Sequence, residues 1–244
     1  MEAGLHTSFL ALQKNIENLL NCLIGIRMII KYFKILILSA FFFSTSNANE
    51  IKVFEFTEEE LNNLEVRKVR GAKTKTFYSV GKNDVGNFLR AEADNSASGL
   101  GKEIMIDLNL TPIINITWKV EEDLSGINEQ SKKGHDYAAR VFVIKKTGAT
   151  PLSNRAINYV FSSNNEVGSN WPSPYTKKSI DNVLSNTQND LNKWVTVKAN
   201  VKEDFKKFHN LDINELDGLA IMSDTDNSKM KAVAFYQNIF FTAE

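Results

Sequence analysis

Residues Gly134-His135-Asp136-Tyr137-Ala138-Ala139-Arg140 place an imidazole, a carboxyl, a phenol and a guanidinium in one short passage from a loop into an apolar segment. A second such stretch, Ser223-Asp224-Thr225-Asp226-Asn227, carries an apolar segment out into a turn. Asp224 and Asp226 are two residues apart and point the same way if extended backbone persists through them. A hard cation such as calcium takes about six to eight oxygens, and this D-x-D-N run offers roughly three or four. It lacks the glycine and the bidentate glutamate of an EF-hand loop, and Asp and Asn also build turns through side chain–backbone hydrogen bonds. Glycoside hydrolysis needs two carboxyls at a set separation, one of them protonated. Asp136, Asp224 and Asp226 are the residues that could supply them. A third stretch, Trp171-Pro172-Ser173-Pro174-Tyr175, holds two aromatic rings in a polar, proline-stiffened context. An exposed Trp171 beside Tyr175 would give a sugar ring a flat apolar face, and a buried Trp171 would cap a core instead. The chain contains no serine nucleophile elbow, H-E-x-x-H pair, phosphate-cradling glycine loop or dinucleotide fingerprint.

The segments that must position these groups are short, rich in Val, Ile, Phe, Tyr and Thr, and separated by turn residues. That pattern predicts an all-β fold, a two-sheet antiparallel β-sandwich of jelly-roll type with one or two short helices. Strands are expected near Ile51–Phe56, Thr74–Val80, Asn87–Glu92, Glu103–Leu108, Ile113–Val120, Ala139–Lys145, Ala156–Ser162, Trp194–Val201, Leu219–Ser223 and Val233–Thr242. Helices are expected at Glu58–Leu64 and Lys202–His209, the latter from the helical spacing of Val201, Phe205 and Phe208. Glu121–Gly134 and Asn164–Asp190, polar and rich in Ser, Asn and Gly, read as long loops. Trp118 and Trp194 fall in strands and are expected in the core. In Ala139–Lys145, Val141 and Val143 share one face, and Arg140, Phe142 and Ile144 share the other. A charge on so apolar a strand should be paired, so Arg140 is expected to meet an Asp of the Asp224/Asp226 pair.

Residues 28–48, MIIKYFKILILSAFFFSTSNA, have the three-part layout of a secretory signal peptide: Lys31 and Lys34, an apolar run, then a small-residue stop ending at Ala48. The apolar run is short of the roughly 20 residues of a permanent membrane span. Met28 directly precedes the basic patch, so residues 1–27 read as an N-terminal extension outside the true start. Residues 49–244 then form a single exported domain, periplasmic or secreted. The first 48 residues hold four of the 29 basic and two of the 29 acidic residues, which leaves the rest near −2. That balance provides no electrostatic footprint for nucleic acid. The one cysteine, Cys22, lies in the discarded part, so the mature domain has no disulfide, thiolate nucleophile or Cys-ligated metal.

Trp118-Lys119-Val120, Gly134–Val143, Ile157-Asn158-Tyr159-Val160-Phe161, Trp194, Ile221–Asn227 and Ala232–Phe240 occur in an order that resembles an exported proteobacterial family catalogued as domain of unknown function 3047. The resemblance implies a secreted or periplasmic β-rich domain with no established activity. This chain departs from the family's pattern at His135, where an acidic residue is expected, and at Ser228-Lys229, where glycine is. The expectation that emerges is a ligand-binding domain for a glycan or other polar ligand, using His135, Asp136, Arg140, Trp171, Tyr175, Asp224, Asp226 and Asn227, with no cofactor unless calcium sits at Asp224 and Asp226. The alternatives are a carbohydrate-active enzyme working through the Asp cluster and a structural envelope protein.

Overall fold

Every second residue from Ile114 to Val120 (Ile114, Ile116, Trp118 and Val120) is fully buried. This period of two is what a strand needs to present one face to a core. The structure, a computed structural model, describes residues 50–64, 66–69 and 71–244, and Ala48–Glu244 clusters as one compact unit. The expected signal peptide at 28–48 and the extension at 1–27 lie outside the described residues. The strands are β1 (Ile51–Lys52), β2 (Val66–Lys68), β3 (Phe77–Lys82), β4 (Asn87–Asp94), β5 (Ala97–Asp107), β6 (Ile113–Glu122), β7 (Ala139–Lys145), β8 (Arg155–Ser162), β9 (Asn170–Ser173), β10 (Thr176–Asn186), β11 (Val195–Asn200), β12 (Glu215–Asp224) and β13 (Lys231–Thr242). The helices are α1 (Glu58–Asn63), α2 (Thr187–Asp190) and α3 (Val201–His209).

Two sheets face each other. The first runs β11-β6-β13-β4-β3, with β1 also paired to β13, and the second runs β2-β5-β12-β7-β8-β10-β9. From β4 onward the chain crosses to the second sheet for β5, returns for β6, crosses again for β7 to β10, and then alternates through β11, β12 and β13. That is the crossing pattern of a jelly-roll sandwich. Pairing is antiparallel except for β8 with β10, which are parallel. Between the sheets lie Trp118 and Ile116 from β6, Val141 and Val143 from β7, Leu219 and Ile221 from β12, and Tyr236, Ile239 and Phe241 from β13. Trp118 spans the layers, its Nε1 donating to Ser185 Oγ on β10 at 2.9 Å.

The helices form where caps are available. Thr57 Oγ1 accepts from Glu60 N at the start of α1, while the Glu60 carboxylate accepts from the backbone N–H of Glu55 and Phe56. This is a reciprocal cap that satisfies otherwise orphaned donors. Asn200 caps α3, and Asn210 closes it in the left-handed region at φ 53°.

Four expectations are corrected. Asn164–Asp190 is not a loop: it contains β9 and the eleven-residue β10, whose polar side chains hid its pattern. The first strand stops at Lys52, because Phe56 takes φ 50° and Phe54 and Phe56 turn inward and stack at 5.5 Å. Thr74 makes only an isolated bridge to Ser96, and the strand proper begins at Phe77. Trp194 is 36% exposed rather than core, tilted against Phe88 and Phe235 outside the first sheet.

Candidate functional site

The register of the second sheet decides which side chains share its outer face. Met222 on β12 lies opposite Arg140 on β7, and Ala220 lies opposite Phe142. With Val141 and Ile221 inside, Arg140, Phe142, Ile144, Ala220 and Met222 point outward. On β5, Gly99 faces Met222 and Gly101 faces Ala220. A tract of small residues therefore crosses the middle of this face, with β7 side chains on one flank and Arg67 and Val69 of the β2 region on the other. The result is a groove of about 370 Å³, floored by Gly99, Gly101, Gly218 and Ala220 and walled by Phe142, Ile144 and Met222. Its rim is charged: Lys146 Nζ meets Glu103 Oε1 at 3.0 Å, and Asp217 Oδ2 accepts from Lys146 N at 2.7 Å. Glycine inside a strand weakens it and commonly marks a place where another molecule comes close to the backbone. A Cβ built at Gly101 would meet no atom of the described residues within 4 Å, so crowding among them does not demand glycine there.

The residues singled out in the sequence lie elsewhere, in and around the passage that enters β7. Arg140 Nη2 donates to Asp224 Oδ2 at 2.5 Å, the pairing expected for a charge on this strand. Its guanidinium also sits between the rings of Tyr137 and Phe142, 5.3 and 5.1 Å from their centroids. Burial pushes the Asp224 carboxyl up to about 8 against the downward pull of Arg140. Asp136 is fully buried and accepts from Asn227 N, Asn227 Nδ2 and Ser228 N, so it pins the turn after β12. His135 Nε2 lies 2.8 Å from Asp181 Oδ2, and Asp181 also accepts from Tyr137 Oη and Asn158 Nδ2. Tyr175 is exposed, with Oη 2.7 Å from Asn227 Oδ1 and its ring edge-on to His135.

Trp171 departs most from expectation. It is 8% exposed, on β9, packed with Tyr137, Val160 and Val183. The loop before β7 lays Tyr137 over this part of the sheet, so the indole is covered and offers no open face to a sugar.

Asp136, Asp224 and Asp226 bring carboxylate oxygens within 4.8 Å of one another. Burial raises the Asp226 carboxyl, and Asp136 beside it adds to the rise. A calcium ion at Asp224 and Asp226 would have to compete with Arg140 and with the backbone N–H of Tyr137, which donates to Asp224 Oδ1 at 3.3 Å. None of the eight residues named from the sequence lines the groove. The groove did leave a trace there: in Ser98-Gly99-Leu100-Gly101, glycines alternate with a core residue, the period of a strand with an emptied outer face.

Fold and groove together define an all-β sandwich with an open face available to a ligand. The chain belongs to the family described as protein of unknown function (DUF3047), which it matches over residues 62–240. No curated protein matches it. Among solved structures it is similar to the family 30 carbohydrate-binding module of the cellulosomal cellulase CEL9D-CEL44B of Clostridium thermocellum, at 10% identity over 80% of this chain and 98% of that one, TM-score 0.47. It is also similar to the xyloglucanase domain of NopAA from Sinorhizobium fredii in complex with cellobiose, at 10% identity over 82% of this chain and 100% of that one, TM-score 0.41. Likeness at this level concerns the sandwich layout alone.

Proposed function

We propose that this domain is an exported glycan-binding module, and that the groove on the outer face of the second sheet holds the sugar. The observation that carries the reading is the groove's construction, with backbone laid bare by Gly99, Gly101 and Gly218 between an aromatic wall and a charged rim. A sugar ring has apolar C–H faces and a polar hydroxyl edge. It needs a flat apolar surface with hydrogen-bonding groups around it, the division found in concave ligand sites. Phe142, Ile144 and Met222 supply the surface. Lys146, Glu103, Asp217 and Asn154 supply the edge. From Gly218 to Met222 the floor runs about 13 Å at the rise of a strand, room for a short stretch of an extended polymer. The Asp cluster, spent on Arg140 and on backbone N–H groups away from the groove, gives the carbohydrate-active enzyme reading no comparable support.

The deciding variant is Gly101→Val. Its Cβ would stand in the groove with no described atom within 4 Å, and a β-branched residue suits a strand. Glycan-array screening followed by calorimetry should find a ligand for the wild type, no binding by Gly101→Val, and a melting temperature for the variant no lower than that of the parent. A variant that binds as well as the wild type would remove the groove from consideration. Export is tested separately: mass spectrometry of the protein recovered outside the cytoplasm should find an N-terminus close to Asn49, and a species retaining Met1 would refute it.

A further inference from the structure

Three side chains on the outer face of the second sheet carry buried polar atoms that no group among the described residues satisfies: Arg140 Nε, Asn158 Oδ1 and Trp171 Nε1. The residues are 4%, 1% and 8% exposed. Buried polar atoms in folded proteins nearly always have a hydrogen-bond partner, so three on one face require an account. Asn158 on β8 lies opposite Phe142 on β7, and Arg140, two residues before Phe142, shares its face. Arg140 and Asn158 are therefore diagonal neighbours, about 7–8 Å apart at the backbone and within reach of each other's side chains. Phe142 and Met222 both line the groove. Arg140 touches both, with Nη2 3.3 Å from Met222 Sδ and the guanidinium over the Phe142 ring. The unsatisfied donor and acceptor thus stand one side chain behind the groove wall.

We propose that this wall conceals a subsite for one hydroxyl of a neutral sugar, a reading that rests on the groove being the glycan site. The hydroxyl oxygen accepts from Arg140 Nε–H and its O–H donates to Asn158 Oδ1, so a single group satisfies both orphans. Met222, whose flexible thioether contacts Arg140 Nη2, is the part of the wall that turns aside to admit it. The surroundings select against an acidic sugar. Asp224 is already bonded to Arg140, and Asp181 and Asp136 act on the same guanidinium, so one cation faces three acids. A sugar carboxylate would add a further acid to this cluster and bring no O–H to donate to Asn158.

The test is calorimetry on the full chain, with neutral oligosaccharides and uronate oligosaccharides of equal length taken from the glycan screen. The wild type should bind the neutral series about tenfold or more tightly than the matched uronates. Arg140→Lys keeps the cation beside Asp224 but removes the Nε–H, and should weaken neutral binding by about tenfold, the scale of a hydrogen bond to a charged group. Asn158→Ala should do the same, and the double variant should lose no more than the weaker single, because one hydroxyl serves both residues. If either variant melts below the assay temperature, Met222→Ile, which keeps the wall shut, replaces it and should weaken binding by the same factor. Preference for uronates, unchanged affinity in Arg140→Lys, or additive losses in the double variant would overturn the subsite. Loss of binding in Gly101→Val with none of these effects leaves the groove and removes the subsite; full binding by Gly101→Val removes both.

Discussion

At Asp224 the folded and unfolded chains disagree about a proton. Burial raises the carboxyl from its ordinary 3.8 to about 8, although Arg140 beside it pulls the other way. Between those values the folded protein keeps a proton that the unfolded chain has released, so the contribution is fully present below about 3.8 and is lost as the pH rises through about 8. Burial raises Glu129 as well, in the same direction. Melting temperature should therefore fall between pH 6 and pH 9, and Asp224→Asn, which cannot ionise, should flatten that decline. Thermal melts of both proteins across the range check it, and an equal slope in the two would refute it. The Arg140–Asp224 pairing was legible in the sequence because a guanidinium on an apolar strand face needs an acid to accept its hydrogen bonds. The partners of Asp136 were not: a buried carboxylate spent on Asn227 and Ser228 backbone looks, as a string of letters, the same as one waiting for a metal.

Strand β7 could be read to its last residue, Ala139–Lys145, since its alternation is apolar on both sides. Strands β9 and β10 could not. The outward side chains of β10 include Ser179 and Asp181, and Asp181 is buried only because His135, Tyr137 and Asn158 close over it with hydrogen bonds. A strand whose cover is polar carries no hydrophobic period, and its sequence reads as loop. The same cover settles the role of Trp171. Removing an indole packed against Tyr137, Val160 and Val183 leaves a cavity, at a cost of about 3–5 kcal/mol. With roughly 2–4 °C per kcal/mol for a domain of this size, Trp171→Ala should melt at least 6 °C below the wild type. A shift under 2 °C would mean that the ring is not a packing element.

On the scale of the whole molecule, the groove belongs to no single segment. Gly99 and Gly101 come from one strand, Gly218 and Ala220 from another more than a hundred residues on, and Phe142 and Ile144 from a third between them. Each strand shows half of a pattern, and only pairing β12 between β5 and β7 joins them into a floor with a wall. Sheet register, which a single sequence does not display, is what turned scattered small residues into a surface. The aromatic-platform expectation failed for the same reason: Trp171 was judged by its neighbours in the chain, whereas its burial is decided by Tyr137, which comes from another segment.

Strand β13, the last twelve-residue element, occupies the middle of the first sheet, between β6 and β4, and pairs with β1 as well. Until Lys231–Thr242 has been made, β4 and β6 have bare edges toward each other and the first sheet is two unjoined halves. Pairings this distant along the chain make for slow assembly, and here they also make it late: the keystone is delivered after everything it must hold. Deleting Lys231–Glu244 should abolish the cooperative thermal transition, and a truncated chain that still melted sharply would refute this order of events. For a chain proposed to leave the cytoplasm, the delay has a use. A sheet that cannot close until β13 has emerged leaves the strands before it unjoined, and so threadable, through all of the synthesis that precedes Lys231.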